Sequence, residues 1–168
     1  MGKLTTIGRG QRGIDFFRGR TSIWVGLGRT TPWPDEDNPP SESAVATTVD
    51  ELFGLLLFEE SSLVIESETG SITHEGKTYA RVDESQLDEF PTNLLYVKFV
   101  VEPDQFPGID YRQYGVFVDA IPGQGFSDYA ALTPGQFQSL GRLVYLDNFT
   151  KVTRYTNTRH EIVVIIPG

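Results

Sequence analysis

Cysteine is absent from this chain of 168 residues, methionine occurs once, and histidine only twice, at His74 and His160. Disulfide scaffolds, thiolate metal sites and cysteine nucleophiles are thereby excluded, and little is left for imidazole chemistry. Long apolar runs are also missing. The longest are short pieces such as Leu55-Leu56-Leu57-Phe58, far below the roughly 20 residues that a membrane-spanning helix needs, so no membrane partner is expected. Met1 to Gly10 has no apolar signal-peptide centre, which predicts a chain made in a cytoplasm. What is abundant points to strands and turns: 17 Gly, 10 Pro, 11 Phe and 7 Tyr argue against a helical bundle. With 39% hydrophobic residues the composition is that of a folded domain, which at this length buries about two thirds of its unfolded surface.

The net charge of −9 is unevenly distributed. Residues 1 to 30 carry six basic side chains (Lys3, Arg9, Arg12, Arg18, Arg20, Arg29) against one acid, Asp15, leaving eight basic and 22 acidic residues in the remainder. The expected organisation is an extended, basic, glycine-rich arm over 1–20, followed by a single β-rich domain over 21–168 with a Pro/Trp loop at 31–40. The arm could meet nucleic acid or another protein's acidic face, and the overall −9 weighs against nucleic acid.

Within the arm one short strand is expected near Ile14 to Phe17. Thr21 to Gly28 then reads as a strand, with a β-branched and aromatic centre closed by glycine. Four prolines between Pro32 and Pro40 remove backbone donors and fix φ, giving a rigid, extended loop. Thr47 to Glu60 is the best helix candidate, with Thr48 or Asp50 as N-cap and Val49, Leu52, Phe53, Leu56 and Leu57 at helical spacing. Short strands follow at Leu63–Ile65, Lys77–Val82, Asn93–Val101, Tyr114–Ala120, Gly141–Asp147 and Glu161–Ile166. The fold class expected is mainly β: a β-sandwich-like domain with one short helix and an extended N-terminal arm. The strand Ile162–Ile166 is apolar throughout and would be an aggregation hazard as a bare edge, so it should be paired in its sheet or covered by a neighbouring subunit.

Constellations that carry chemistry are scarce. Gly8-Arg9-Gly10-Gln11-Arg12-Gly13 spells the dinucleotide-binding pattern, but no convincing strand precedes it and no amphipathic helix follows. His74 should be exposed in a turn and lies 86 positions from His160, so no metal site is expected. Adjacent acids such as Asp35-Glu36-Asp37 and Glu59-Glu60 read as solvated surface, and no serine sits in a nucleophile elbow. No catalytic residue, metal or cofactor is therefore assigned. The Trp24, Arg29 and Trp33 group differs in kind, because Trp and Arg are the residues most enriched at interface hot spots. Trp24 is expected in the core. A proline-braced loop carrying Trp33 and Pro34 would dock onto a neighbour with little ordering cost.

Two stretches resemble the baseplate wedge protein encoded by gene 8 of T-even bacteriophages and its relatives in other contractile-tailed phages. The first, Ile23-Trp24-Val25-Gly26-Leu27-Gly28-Arg29-Thr30-Thr31-Pro32-Trp33, is similar to that family's strand running into Gly-Arg-[Ser/Thr]-x-Pro-Trp. The second is Gly141-Arg142-Leu143-Val144-Tyr145-Leu146-Asp147-Asn148, with Val152-Thr153-Arg154 and the terminal Glu161 to Ile165. A third piece, Phe106-Pro107-Gly108 through Tyr111-Arg112-Gln113-Tyr114-Gly115-Val116-Phe117, is similar to the stretch preceding it in the family. The T-even protein is much longer, so this chain resembles a shortened, single-domain form.

The resemblance implies a non-enzymatic virion structural protein of a contractile tail, assembled in the host bacterial cytoplasm. It would act through permanent contacts with other tail or baseplate proteins, as an oligomer or ring. The candidate subunit interface comprises Arg29, Trp33, Pro34, Tyr145, Asn148, Arg154, Ile162, Val164 and Ile166, with Lys3, Arg9, Arg12, Arg18 and Arg20 as a separate basic arm. The alternative place is a neck, collar or tail-terminator position at the head–tail junction.

Overall fold

A computed structural model describes residues 22–167. The strands, in chain order, are β1 (Ile23–Gly28), β2 (Gly54–Leu57), β3 (Glu60–Glu66), β4 (Ile72–His74), β5 (Lys77–Val82), β6 (Leu94–Val101), β7 (Asp110–Val118), β8 (Ile121–Pro122), β9 (Ala131–Leu132), β10 (Phe137–Ser139), β11 (Arg142–Thr153) and β12 (His160–Pro167). Helix among the described residues is limited to two single 3-10 turns, Glu84–Gln86 and Pro134–Gln136. The class is mainly β, as the strand-forming composition dictates. The expected basic arm, its short strand and the glycine pattern at 8–13 lie outside the described residues.

The described chain falls into two compact units. One holds 59–98 and 162–167, the other 22–58 and 99–161, and β6 and β12 run across the division. The first unit is organised by a five-stranded sheet in the order β12-β6-β3-β5-β4. Two-residue alternation sorts its apolar side chains by face: Leu63 and Ile65 of β3 pack with Val82 and Leu87, whereas Val64 packs with Tyr79, Tyr96, Val163 and Ile165. The β4–β5 hairpin turns on Glu75 and Gly76, both at positive φ (49° and 80°), a mirror-image tight turn that matches strand twist. His74, expected in an exposed turn, closes β4 and is half-buried.

The second unit carries a sheet in the order β11-β7-β1-β2-β9 and the small pair β10-β8. Its core gathers Trp24, Val49, Leu55, Phe117, Ala120 and Leu132, with Leu143 and Leu146 against them. Trp24 is a core residue, as expected: its Nε1 donates to Ser22 Oγ at 2.9 Å and its ring meets Phe137 edge-on.

The helix expected over 47–60 does not form. Instead, Val49 to Leu52 crosses the sheet at glycines of β1 and β7, and Gly54–Leu57 becomes β2, paired antiparallel with β1. A Cβ on Gly28 would lie 2.2 Å from the Asp50 carbonyl oxygen, and one on Gly115 would lie 2.7 Å from Val49. Glycine at these two positions therefore lets the crossing segment sit directly on β1 and β7. Glu51 takes the left-handed conformation (φ 49°), incompatible with a continuing helix.

Candidate functional site

Apart from the terminal Glu161 to Ile165, which falls in β12 of the other sheet, the stretches that carry the family resemblance run through the adjacent strands β1, β7 and β11 of one sheet, which hold the loop at 31–40. At its entrance Arg29 has φ 58°, a backbone state that branched and long side chains rarely take. Its amide donates to Asp50 O at 2.6 Å, its NH2 donates to Pro32 O at 3.0 Å, and its guanidinium lies 4.4 Å from the centre of the Trp33 ring. Thr31 donates through both its amide and its hydroxyl to the Glu51 carboxylate. Those bonds to Thr31 are the main cause holding the Glu51 pKa below the ordinary carboxylate value.

Trp33 is 6% exposed and is enclosed by its own chain, with Nε1 donating to Phe149 O of β11 at 3.0 Å. Glu36 then turns back. It accepts from the Trp33 amide at 3.3 Å and from Arg112 Nε at 2.8 and 3.0 Å. Arg112 also donates from NH1 to Thr30 O at 2.6 Å, so one buried cation of β7 ties both ends of the turn. Arginine suits this position because its fixed fork of donors serves a carboxylate and a carbonyl at once.

The far side of the loop is closed by a chain of amides. Gln113, buried, accepts from the Asp50 amide and donates to Asn148 Oδ1, both at 2.6 Å. Asn148 donates from Nδ2 to Pro40 O at 2.9 Å and from its backbone amide to Glu42 Oε1 at 3.0 Å. What faces outward is an exposed crest, Pro34, Asp35, Asp37, Pro40 and Glu42, with Val45 beyond it at 86% exposure. Asp35 is held below the ordinary carboxylate pKa by Asn38, which donates to it.

Beside this crest lies β11, the terminal strand of its sheet, with no described strand on its outer side. A groove of about 360 Å³ runs between Glu42–Ala46 and Leu143–Leu146, and a second of about 190 Å³ adjoins it beneath Trp33 and Asn148. Tyr145 stands in the larger groove, its ring stacked on Tyr114 at 6.2 Å.

The structure therefore brings Arg29, Trp33, Pro34, Tyr145 and Asn148 to one region. Arg154 lies elsewhere, beyond the C-terminal end of β11, and is 1% exposed. It donates to the carbonyls of Thr158, Glu102 and Gln105 at 2.9, 2.8 and 3.1 Å, clamping two loops together. Ile162, Val164 and Ile166 belong to β12 in the other unit, where they are buried. β12 pairs with β6 and ends the sheet order. Lys3, Arg9, Arg12, Arg18 and Arg20 lie outside the described residues. Sequence reasoning missed Arg112, Gln113, Glu36 and Glu51. The available signal was Arg112-Gln113 within an otherwise apolar strand, where a buried cation requires a partner.

Among the described residues no three His, Asp or Glu side chains stand close enough to hold a metal ion, and no helix is long and apolar enough to cross a membrane. The polar groups of the loop instead fix one surface in a single shape. What the described residues define is a mainly β fold with one surface loop held in a single shape by side-chain hydrogen bonds. The family model described as baseplate wedge 3 tail fiber network component matches residues 1–167, and the chain belongs to that family. It is also similar to Virion protein 3 of Enterococcus phage phiEF24C, with 25% identity over 133 residues covering 76% of this chain and 73% of that protein. The chain is thus a structural protein of a phage virion, of a baseplate family.

Proposed function

We propose that the protein is a non-enzymatic subunit of the baseplate wedge of a contractile tail, related to the gene 8 product of T-even phages. It is present in several copies and acts through permanent contacts with neighbouring tail proteins. The observation that carries this reading is the braced loop: Arg29, Glu36, Glu51, Arg112, Gln113 and Asn148 direct their polar atoms inward, so the crest from Pro34 to Glu42 is ordered before any partner arrives. Such preorganisation lowers the entropic cost of association. Arg29 and Trp33 support the contact surface from beneath, whereas Pro34 and the wall containing Tyr145 meet the partner. The family description, with its baseplate and tail fibre network, favours the wedge over a neck, collar or terminator position.

Tagged virions imaged by electron microscopy test the placement. Label at the tail tip, in copies distributed around the tail axis, is the expected result, and label at the head–tail junction would overturn the wedge reading.

A further inference from the structure

The groove of about 360 Å³ along β11 lies between a strand edge and an acidic crest. In an antiparallel ladder successive amides point to opposite sides. The Asn148 amide points away from β7, to Glu42, so the amide of Leu146, two residues earlier, faces outward along the larger groove. The edge stretch Leu143 to Asn148 contains no lysine and no proline, the residues that ordinarily block strand addition, and Val144 and Tyr145 lie on it. Across the groove stand Ala44 and Ala46, small side chains that leave room for a backbone. Acidic side chains, Asp35, Asp37 and Glu42, are exposed on the crest, while the nearby cations are already engaged, Arg29 with Asp50 and Arg142 with Asp119.

The complementary charge exists in the same molecule. Residues 1–20 carry Lys3, Arg9, Arg12, Arg18 and Arg20 against the single acid Asp15, interleaved with Gly8, Gly10, Gly13 and Gly19, which present no side chain to a narrow cleft. We infer that the β11 groove of one subunit is filled by residues 3–20 of a second copy, so that identical chains join head to tail through a basic segment and an acidic-rimmed strand edge. The inference rests on the wedge reading, which places several copies together, and it supplies that reading with a specific contact. A heterologous contact of this kind closes into a ring or remains open according to the rotation between copies.

The test is charge exchange in the full-length chain, read by sedimentation velocity. Wild-type protein is expected to self-associate reversibly, and raising salt from about 0.05 to about 0.5 M should dissociate it. Arg9→Glu/Arg12→Glu/Arg18→Glu and Asp37→Lys/Glu42→Lys should each weaken association by at least about tenfold, whereas mixing the two variants restores it. Ala44→Lys/Val45→Lys, which removes no hydrogen-bonding side chain, should behave like the second variant. Asp88→Lys/Glu89→Lys, the same charge change on exposed residues of the other unit, should leave association intact.

Because the chain has no cysteine, Gly10→Cys in one copy and Ala44→Cys in another give an unambiguous covalent dimer on oxidation. Absence of self-association, failure of the mixture to restore it, or closure of a Gly10→Cys/Ala44→Cys chain on itself as a monomer would each overturn the inference. Those outcomes leave the tail-tip labelling unaffected, and label at the neck leaves the charge exchange unaffected, so the two failures are distinguishable.

Discussion

Trp33 separates the contribution of packing from that of hydrogen bonding in the loop. Trp33→Ala removes the ring over which the Arg29 guanidinium sits, and Arg29 Nε is already buried without a hydrogen-bond partner. A cost of about 3–5 kcal/mol is expected, as for other buried tryptophans. Trp33→Phe keeps most of the apolar volume and loses the bond from Nε1 to Phe149 O, for about 1–2 kcal/mol. Urea unfolding midpoints at constant slope measure both. At Glu75 the change runs the other way. Its φ of 49° sits in a two-residue hairpin turn where asparagine is favoured, and the side chain is largely in solvent. Glu75→Asn should raise stability by about 0.5–1 kcal/mol, and no gain in the unfolding midpoint would refute the turn assignment.

At the scale of elements, β7 anchors the loop, because Arg112 projects from it to the carboxylate of Glu36. Removing only Glu36 leaves a buried cation with the Thr30 carbonyl alone. Glu36→Gln should therefore cost about 1–3 kcal/mol, below the range for fully buried pairs because Glu36 is itself 38% exposed. Arg112→Met/Glu36→Leu should lose less than the sum of its single changes, with a coupling of about 1–2 kcal/mol in a double-mutant cycle. Additive losses would show that the pair does not brace the loop. Strands with a clear two-residue pattern or an apolar run, β1, β3, β5, β6, β7 and β12, were legible in the sequence to within a few residues, because burial sets their period, whereas β11 runs six residues past its expected end at Asp147. The segment 47–60 was not. Val49, Leu52, Phe53, Leu56 and Leu57 fit a helical stripe, but the helix lost to glycines distant in sequence, Gly28 and Gly115, which let the segment lie flat. The short strands β2, β4, β8, β9 and β10 carry too few residues to show any period. The motif from Gly28 to Trp33 was legible as a special loop, whereas the fastening of residues 31–40 to Glu51, Arg112, Asn148 and Phe149 depends on pairings 20 to 116 positions apart.

For the whole molecule, stability should be confined by different groups on the two sides of neutrality. Burial raises the Tyr111 pKa from 10 to about 12, with the Arg154 charge opposing weakly. Below pH 10 the phenol is protonated whether folded or not, and it contributes no pH dependence. Above pH 10 the unfolded chain releases this proton first, so stability falls between about pH 10 and 12, by roughly 2–3 kcal/mol in all. On the acid side the direction is reversed. Burial, aided by the Arg154 charge, lowers the His160 pKa, so the unfolded chain takes up the proton more readily as pH falls through the ordinary histidine range. Glu60, held low chiefly by its bond from Arg81, adds a second loss lower still, in the carboxylate range. Tyr111→Phe should flatten the alkaline limb, since the ring contacts to Phe53 and Phe149 survive while the titrating hydroxyl is gone. His160→Gln should remove only the first acid step. Urea midpoints measured from pH 4 to 11.5 on the wild type and both variants provide the check. An alkaline limb unchanged in Tyr111→Phe would show that another group limits stability there, because no other described tyrosine is so deeply shielded while facing a buried arginine.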